Sequence, residues 1–112
     1  MRRAAKVDTT HGEIRDHLRS IGWRVYSTAS LGNDFPDLVV ARAGFTALVE
    51  CKSKSDRSPE VQLSEGQREF RNKWPGAYVV ACTPEQAENE LAARYLGFRL
   101  EALRIEEAGV DE

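Results

Sequence analysis

In DFPDLVVARAGFTALVECKSK, residues 34–54, two uncharged runs read as the middle of a buried sheet, yet Asp37 opens one and Glu50 and Lys52 close the other. Side chains two apart on a strand share a face, about 6–7 Å apart, so Glu50 and Lys52 point one way while Val49 and Cys51 point the other. If Ala43-Gly44 is a two-residue turn, or residues 42–45 a four-residue one, opposed positions sum to 87. Asp37 then faces Glu50 with Cβ atoms about 5 Å apart. A three-residue loop would shift that pairing by one. Two carboxylates facing each other on central strands repel, and desolvation raises the cost of charging both. Lys52 offsets one charge and leaves the site net negative, and a hard oxygen-coordinated cation, Mg²⁺ or Mn²⁺, completes the balance. For an isolated Asp, Glu and Lys a structural salt bridge at the end of a hairpin is the favoured reading; the surrounding pattern has to decide.

The elements that must position these residues follow from periodicity and caps. Thr10-His11-Gly12-Glu13 has the form of a capping box, and Ile14, Leu18 and Ile21 recur at helical spacing until Gly22. Residues 23–29 alternate as a strand and Leu31-Gly32-Asn33-Asp34 is a turn. Residues 38–41 and 46–51 are apolar on both sides, which suits central strands. Ser64-Glu65-Gly66-Gln67 is a second capping box, and Pro75-Gly76 ends the helix it starts. Residues 77–82 form a fourth strand, and Thr83-Pro84 starts a third helix that Gly97 is expected to end. Residues 98–105 are expected to add a strand. The order is α-β-β-β-α-β-α: an α/β fold with a mixed central sheet flanked by helices, in which a right-handed crossover makes the third and fourth strands parallel. Residues 1–105 are expected to form one domain and 106–112 an acidic, frayed tail.

Composition narrows the classes. With 112 residues and 41% hydrophobic content, a core can form without disulfides or a structural metal. Cys51 and Cys82 lack paired zinc spacing and read as reduced core thiols. No apolar stretch approaches the roughly 20 residues that cross a bilayer, and Met1-Arg2-Arg3-Ala4-Ala5-Lys6 is not followed by a signal-peptide core, so a cytoplasmic location is expected. Net charge is −2 but uneven: from Glu85 onward eight acids face three arginines, leaving +3 on residues 1–84. Trp23, Tyr26, Phe70 and Trp74 fall at spacings that bury them. His11 and His17, six apart, do not share a helix face closely and are expected at the surface or in a cap.

Pro36-Asp37 followed by Glu50-Cys51-Lys52, set in this element order, resembles the PD-(D/E)XK nuclease superfamily, from Glu13 to about Gln86. The likeness is greatest to the small VRR-NUC and Holliday junction resolvase-like domains, through Glu13, Gly32 and Leu63-Ser64-Glu65-Gly66-Gln67. The Val-Arg-Arg-like strand end that names VRR-NUC domains is here Val80-Ala81-Cys82. The resemblance implies a restriction-endonuclease-like αβββαβ core, with Asp37, Glu50, the Cys51 backbone carbonyl and Glu13 binding Mg²⁺. It also implies that Lys52 orients or deprotonates the attacking water, that Gln67 joins the catalytic group, and that DNA phosphodiesters are hydrolysed. Capping alone also explains Glu13 and Gln67.

Phosphate contacts are expected from Lys54 and Arg57 in the loop after the motif strand, and from Arg2, Arg3 and Lys6 in the amino-terminal arm. The long polar loop 53–60 is expected to close over substrate. So small a domain offers limited area to a duplex, and the likeness to resolvases carries a homodimer as an expectation. The function expected is a Mg²⁺-dependent, structure-selective DNA endonuclease. The competing expectation is a noncatalytic DNA-binding or assembly module that keeps the fold.

Overall fold

Helix α1 spans Arg2–Ser20, so Thr10 lies in its middle and not at its start. The expected capping box at Thr10-Glu13 does not exist. Ala4, Ala5 and Lys6 are strong helix formers, and an interior glycine such as Gly12 costs only about 1 kcal/mol relative to Ala. Ile14 and Leu18, both fully buried, supply the packing that holds the helix. The computed structural model describes the backbone of residues 2–110 and the side chains of 9–109. Arg2, Arg3 and Lys6 therefore lie outside the described side chains.

Gly22, at φ 104°, turns the chain out of α1 into β1, Arg24–Ser27, shorter than its sequence pattern suggests. A short 3₁₀ turn, Ala29–Leu31, and three left-handed residues, Gly32, Asn33 and Asp34, lead to β2, Leu38–Arg42. Ala43 and Gly44 have φ of 48° and 85°, the signature of a type I′ turn, which matches the twist of its flanking strands. That turn delivers β3, Phe45–Cys51, antiparallel to β2 with Arg42 opposite Phe45 and Leu38 opposite Val49. The expected sum of 87 holds at every pair. A second 3₁₀ turn, Pro59–Gln62, precedes α2, Glu65–Lys73, which crosses over to β4, Ala77–Ala81, parallel to β3. The sheet order is β1-β2-β3-β4 and its strands are mixed in direction.

Each face of the sheet is covered. On one, Val25, Leu38, Val40, Val49 and Val79 pack against Ile14 and Leu18 of α1 and Ala87 and Leu91 of the last helix. On the other, Val39, Leu48, Tyr78 and Val80 meet Phe35, Leu63 and Phe70. This α/β architecture of three helices and a four-stranded mixed sheet agrees with the sequence reading.

The last helix, α3, spans Pro84–Val110. Thr83 caps it, its Oγ1 accepting from Gln86 N at 3.0 Å. Gly97 does not stop it: residues 98–105 are helical, not a strand, and 106–110 continue the same helix. The glycine penalty is small beside the helix preference of its neighbours Leu96, Arg99, Leu100, Glu101, Ala102 and Leu103. The longest dimension of the molecule, 59 Å, is about twice the other two.

Two aromatic expectations also change. Trp23 is buried, whereas Tyr26 on the edge strand is 61% exposed and Trp74, just past α2, is 37% exposed. Edge strands and helix ends leave one flank of an aromatic ring without a covering layer. His11 is buried, not superficial, and neither ring nitrogen has a hydrogen-bond partner. Both cysteines are free, Cys82 buried and Cys51 half-buried.

Candidate active site

The site is built where β2 begins and β3 ends. Pro36 is fully buried. Thr28 tethers this dipeptide from β1's end: its Oγ1 donates to Pro36 O at 2.6 Å, and its backbone N donates to Asp37 O at 2.7 Å. One step beyond the Leu38–Val49 pair, Asp37 comes opposite Glu50. The Asp37 carboxylate then takes over the ladder, with Oδ2 accepting from Cys51 N at 2.9 Å.

Alternation puts Glu50 and Lys52 on the α2 face, with Leu48, while Val49 and Cys51 pack toward α1 and α3. Lys52 Nζ lies 3.4 Å from Glu50 Oε2. Gln67 joins them from the first turn of α2. Its Nε2 donates to Glu50 Oε2 at 3.0 Å, and its Oε1 accepts from Lys52 Nζ at 2.8 Å. The same Oε1 accepts from Ser64 N at 2.9 Å, completing a capping box in which Ser64 Oγ accepts from Gln67 N. Capping and site membership are therefore one role for Gln67: the box fixes the rotamer that reaches the strand.

Glu50 is 4% exposed. Burial first, and then the charge of Asp37, push its pKa up to about 7, against the pull of Lys52. Its Oε2 is satisfied, but its Oε1 is buried with no hydrogen-bond partner. A carboxylate oxygen in that condition costs on the order of 1–3 kcal/mol, more when charged. Tyr78 Oη, on the same face of the sheet, is also buried without a partner. Its pKa is raised, mainly by burial and then by the charge of Glu50.

A cleft of about 330 Å³ opens on this group, walled by Thr10, Asp37, Glu50, Cys51, Lys52, Ser53 and Gln62. Because the Cys51 side chain packs into the main core, that residue faces the cleft with its backbone. A larger hollow of about 720 Å³, lined by Leu100, Leu103, Arg104, Glu106 and Glu107, lies along α3, away from the strand residues of the site.

Of the residues singled out in the sequence, Asp37, Glu50, Lys52, Gln67 and Cys51 come together. Glu13 does not: it is exposed on α1 and forms no part of the cleft wall. Thr10, three residues earlier, takes the wall position. Lys54 and Arg57 are exposed on the adjacent loop, with Arg57 Nη2 donating to Val61 O at 3.2 Å. Gln62 Nε2 pins that loop through Ser53 O, Ser55 Oγ and Arg57 O at 3.2–3.3 Å. Thr10, Ser53 and Gln62 carry no pattern that marks them as cleft residues. Only the polar type of Gln62, next to an apolar Leu63, hints that its side chain has work outside the core.

The donor set suits a hard divalent cation. Mg²⁺ is held by one or two carboxylates and keeps several waters, and here Glu50 Oε1 is an uncommitted oxygen beside the Asp37 carboxylate. Among the described residues no three His, Cys, Asp or Glu side chains gather to form a closed metal cage. No family model matches this chain, and no curated protein matches it in sequence. Among the described residues, no helix is long and apolar enough to cross a membrane.

Proposed function

We propose that the chain is a Mg²⁺-dependent deoxyribonuclease of the PD-(D/E)XK type, an endonuclease acting on branched or junction DNA. The observation that carries the reading is Glu50: a carboxylate buried beside a second one, with one oxygen uncommitted, in the wall of an open cleft. A noncatalytic module binding the same DNA has no use for that arrangement, since an apolar residue would pack there at lower cost.

Asp37, Glu50 and the Cys51 backbone would hold the metal. When bound, Mg²⁺ supplies Lewis acidity toward the phosphate and lowers the pKa of a coordinated water. Lys52 is held by Gln67 and Glu50 at 2.8 and 3.4 Å, so its ammonium is fixed at the rim where a phosphate gains negative charge. Gln67 positions both Lys52 and Glu50, and fixing such groups before substrate arrives removes an ordering cost from the reaction. Lys54 and Arg57, exposed on the loop after β3, would contact flanking phosphates, and Arg2, Arg3 and Lys6 take the same role from sequence alone.

The test is incubation of the protein with branched, nicked and linear DNA, with Mg²⁺ and with a chelator. Cleavage is expected only with the metal, and it should vanish in Lys52→Ala and Asp37→Asn. Cleavage that survives both substitutions rejects the assignment, and tight DNA binding with no cleavage in Mg²⁺ or Mn²⁺ favours the noncatalytic module.

A further inference from the structure

The chain between β3 and α2 has little core of its own. Residues 53–58 are all exposed, and buried packing resumes only at Pro59 and Leu63. What shapes the segment is a set of hydrogen bonds that meet at one side chain. Gln62, the last residue of the second 3₁₀ turn, sends Nε2 back to Ser53 O at 3.2 Å, Ser55 Oγ at 3.2 Å and Arg57 O at 3.3 Å. An amide nitrogen carries two hydrogens, so the three acceptors share them and all three loop residues are tied to a single atom. Around this knot, Arg57 N donates to Ser55 Oγ at 3.0 Å and Arg57 Nη2 donates to Val61 O at 3.2 Å.

The knot stands beside the candidate site, because Ser53 and Gln62 share the cleft wall with Lys52. Lys54 lies between the tied residues Ser53 and Ser55, and Arg57 is itself tied. The same loop carries Asp56 between its two cations. In a loop free to move, these charges average toward cancellation at any nearby phosphate. A fixed shape is what lets the cations act separately from the acid.

We infer that Gln62 is a positioning residue, whose amide holds residues 53–58 in the shape that presents Lys54 and Arg57 to DNA phosphates flanking the scissile bond. It acts on substrate binding through those two cations and not on the reacting phosphate. The inference rests on the nuclease reading for its substrate and gives a part to a cleft residue that the reading leaves without one. Gln67 holds the groups at the chemistry, and Gln62 holds those that grip the strand beside it.

The test combines steady-state cleavage of branched DNA with equilibrium binding of the same DNA in the absence of divalent metal. Gln62→Ala should raise KM and Kd about tenfold, keep kcat within about twofold, and flatten the slope of log Kd against log salt by about one to two, as for two lost phosphate contacts. Gln62→Glu keeps the length of the side chain but cannot donate, and should match Gln62→Ala. In both variants trypsin should cut after Lys54 and Arg57 about tenfold faster than in the wild type, a readout that needs no DNA. In a chain already carrying Lys54→Ala and Arg57→Ala, adding Gln62→Ala should change KM and Kd by less than about twofold.

Wild-type Kd, salt slope or trypsin cutting in Gln62→Ala overturns the inference. So does a fall in kcat without a rise in KM, or a full further loss of binding in the chain that lacks both cations. Each of these leaves the nuclease reading standing. A wild type that neither binds nor cuts DNA removes that reading, and the role of Gln62 in substrate binding with it.

Discussion

The cleft and the far half of α3 are opposite violations of the rule that apolar groups go in and charged groups stay out. At the cleft, Glu50 is 4% exposed beside Asp37, while on α3 Ile105 is 65% exposed. Each arrangement is unfavourable for the isolated chain, by desolvation in the first and by apolar hydration in the second. Native proteins accept such costs at places where a partner relieves them, and the chemistry of the cost identifies the partner. Unpaired buried oxygen calls for a cation; exposed leucine calls for another apolar surface.

The largest expected effect separates the two regions by chemistry. Lys52→Ala should lower Mg²⁺-dependent cleavage by on the order of a thousandfold in initial-rate assays, while the far-ultraviolet spectrum stays unchanged. A variant that cleaves at the wild-type rate would remove Lys52 from the chemistry.

Next comes the pH dependence of Glu50. Its pKa is raised from 4.5 to about 7 by folding, so the folded state binds the proton more tightly than the unfolded one. The contribution is fully present below pH 4.5, falls away between there and 7, and is absent above. Without divalent metal, Glu50→Gln should therefore be more stable than the wild type at pH 8 by roughly 3 kcal/mol, with the gap closing at pH 4.5 in denaturant titrations. Mg²⁺ should reverse the trend in the wild type alone, binding more tightly as pH rises toward 7. A wild type whose stability is flat across that window would remove the electrostatic cost on which the cation reading rests.

Smaller again, Gln67→Ala should cost about 1 kcal/mol in thermal unfolding through the lost cap, and should also slow cleavage. Rescue by Gln67→Glu should restore the cap and not the rate, because a carboxylate beside Glu50 adds repulsion where the amide donates. The smallest effect belongs to Tyr78, whose buried hydroxyl has no partner. Tyr78→Phe should be neutral or stabilise the protein by up to about 1 kcal/mol, measured by the same denaturant titration.

Most of what positions the site was readable before any coordinates. Ala43-Gly44 alone set the pairing of β2 with β3, because a two-residue turn leaves no freedom of register. Asp37, Glu50 and Lys52 then followed from strand alternation, whereas Gln67 entered the candidate site through the resemblance, its capping box giving it only a structural role. The misreadings share a physical cause. Thr10-x-x-Glu13 and Gly97 are local signals worth about 1 kcal/mol each, and both α1 and α3 run through them with neighbours that favour the helix. Glu13 was expected near the metal from the resemblance and not from any local signal, and it lies exposed on α1 outside the cleft wall. Thr10, Ser53 and Gln62 reach the cleft only through the packing of α1 and the 53–62 segment around β3, a tertiary fact with no local trace.

The amide oxygen of Gln67 accepts twice, from Ser64 N and from Lys52 Nζ, while its amide nitrogen donates to Glu50. Fraying of the first turn of α2 and loosening of the lysine are consequently a single event. Amide exchange at Gln67 N and Arg68 N would report the opening of the cleft itself, and anything that clamps Lys52 and Glu50 from outside should slow that exchange at the helix start, a residue or more away from whatever is bound.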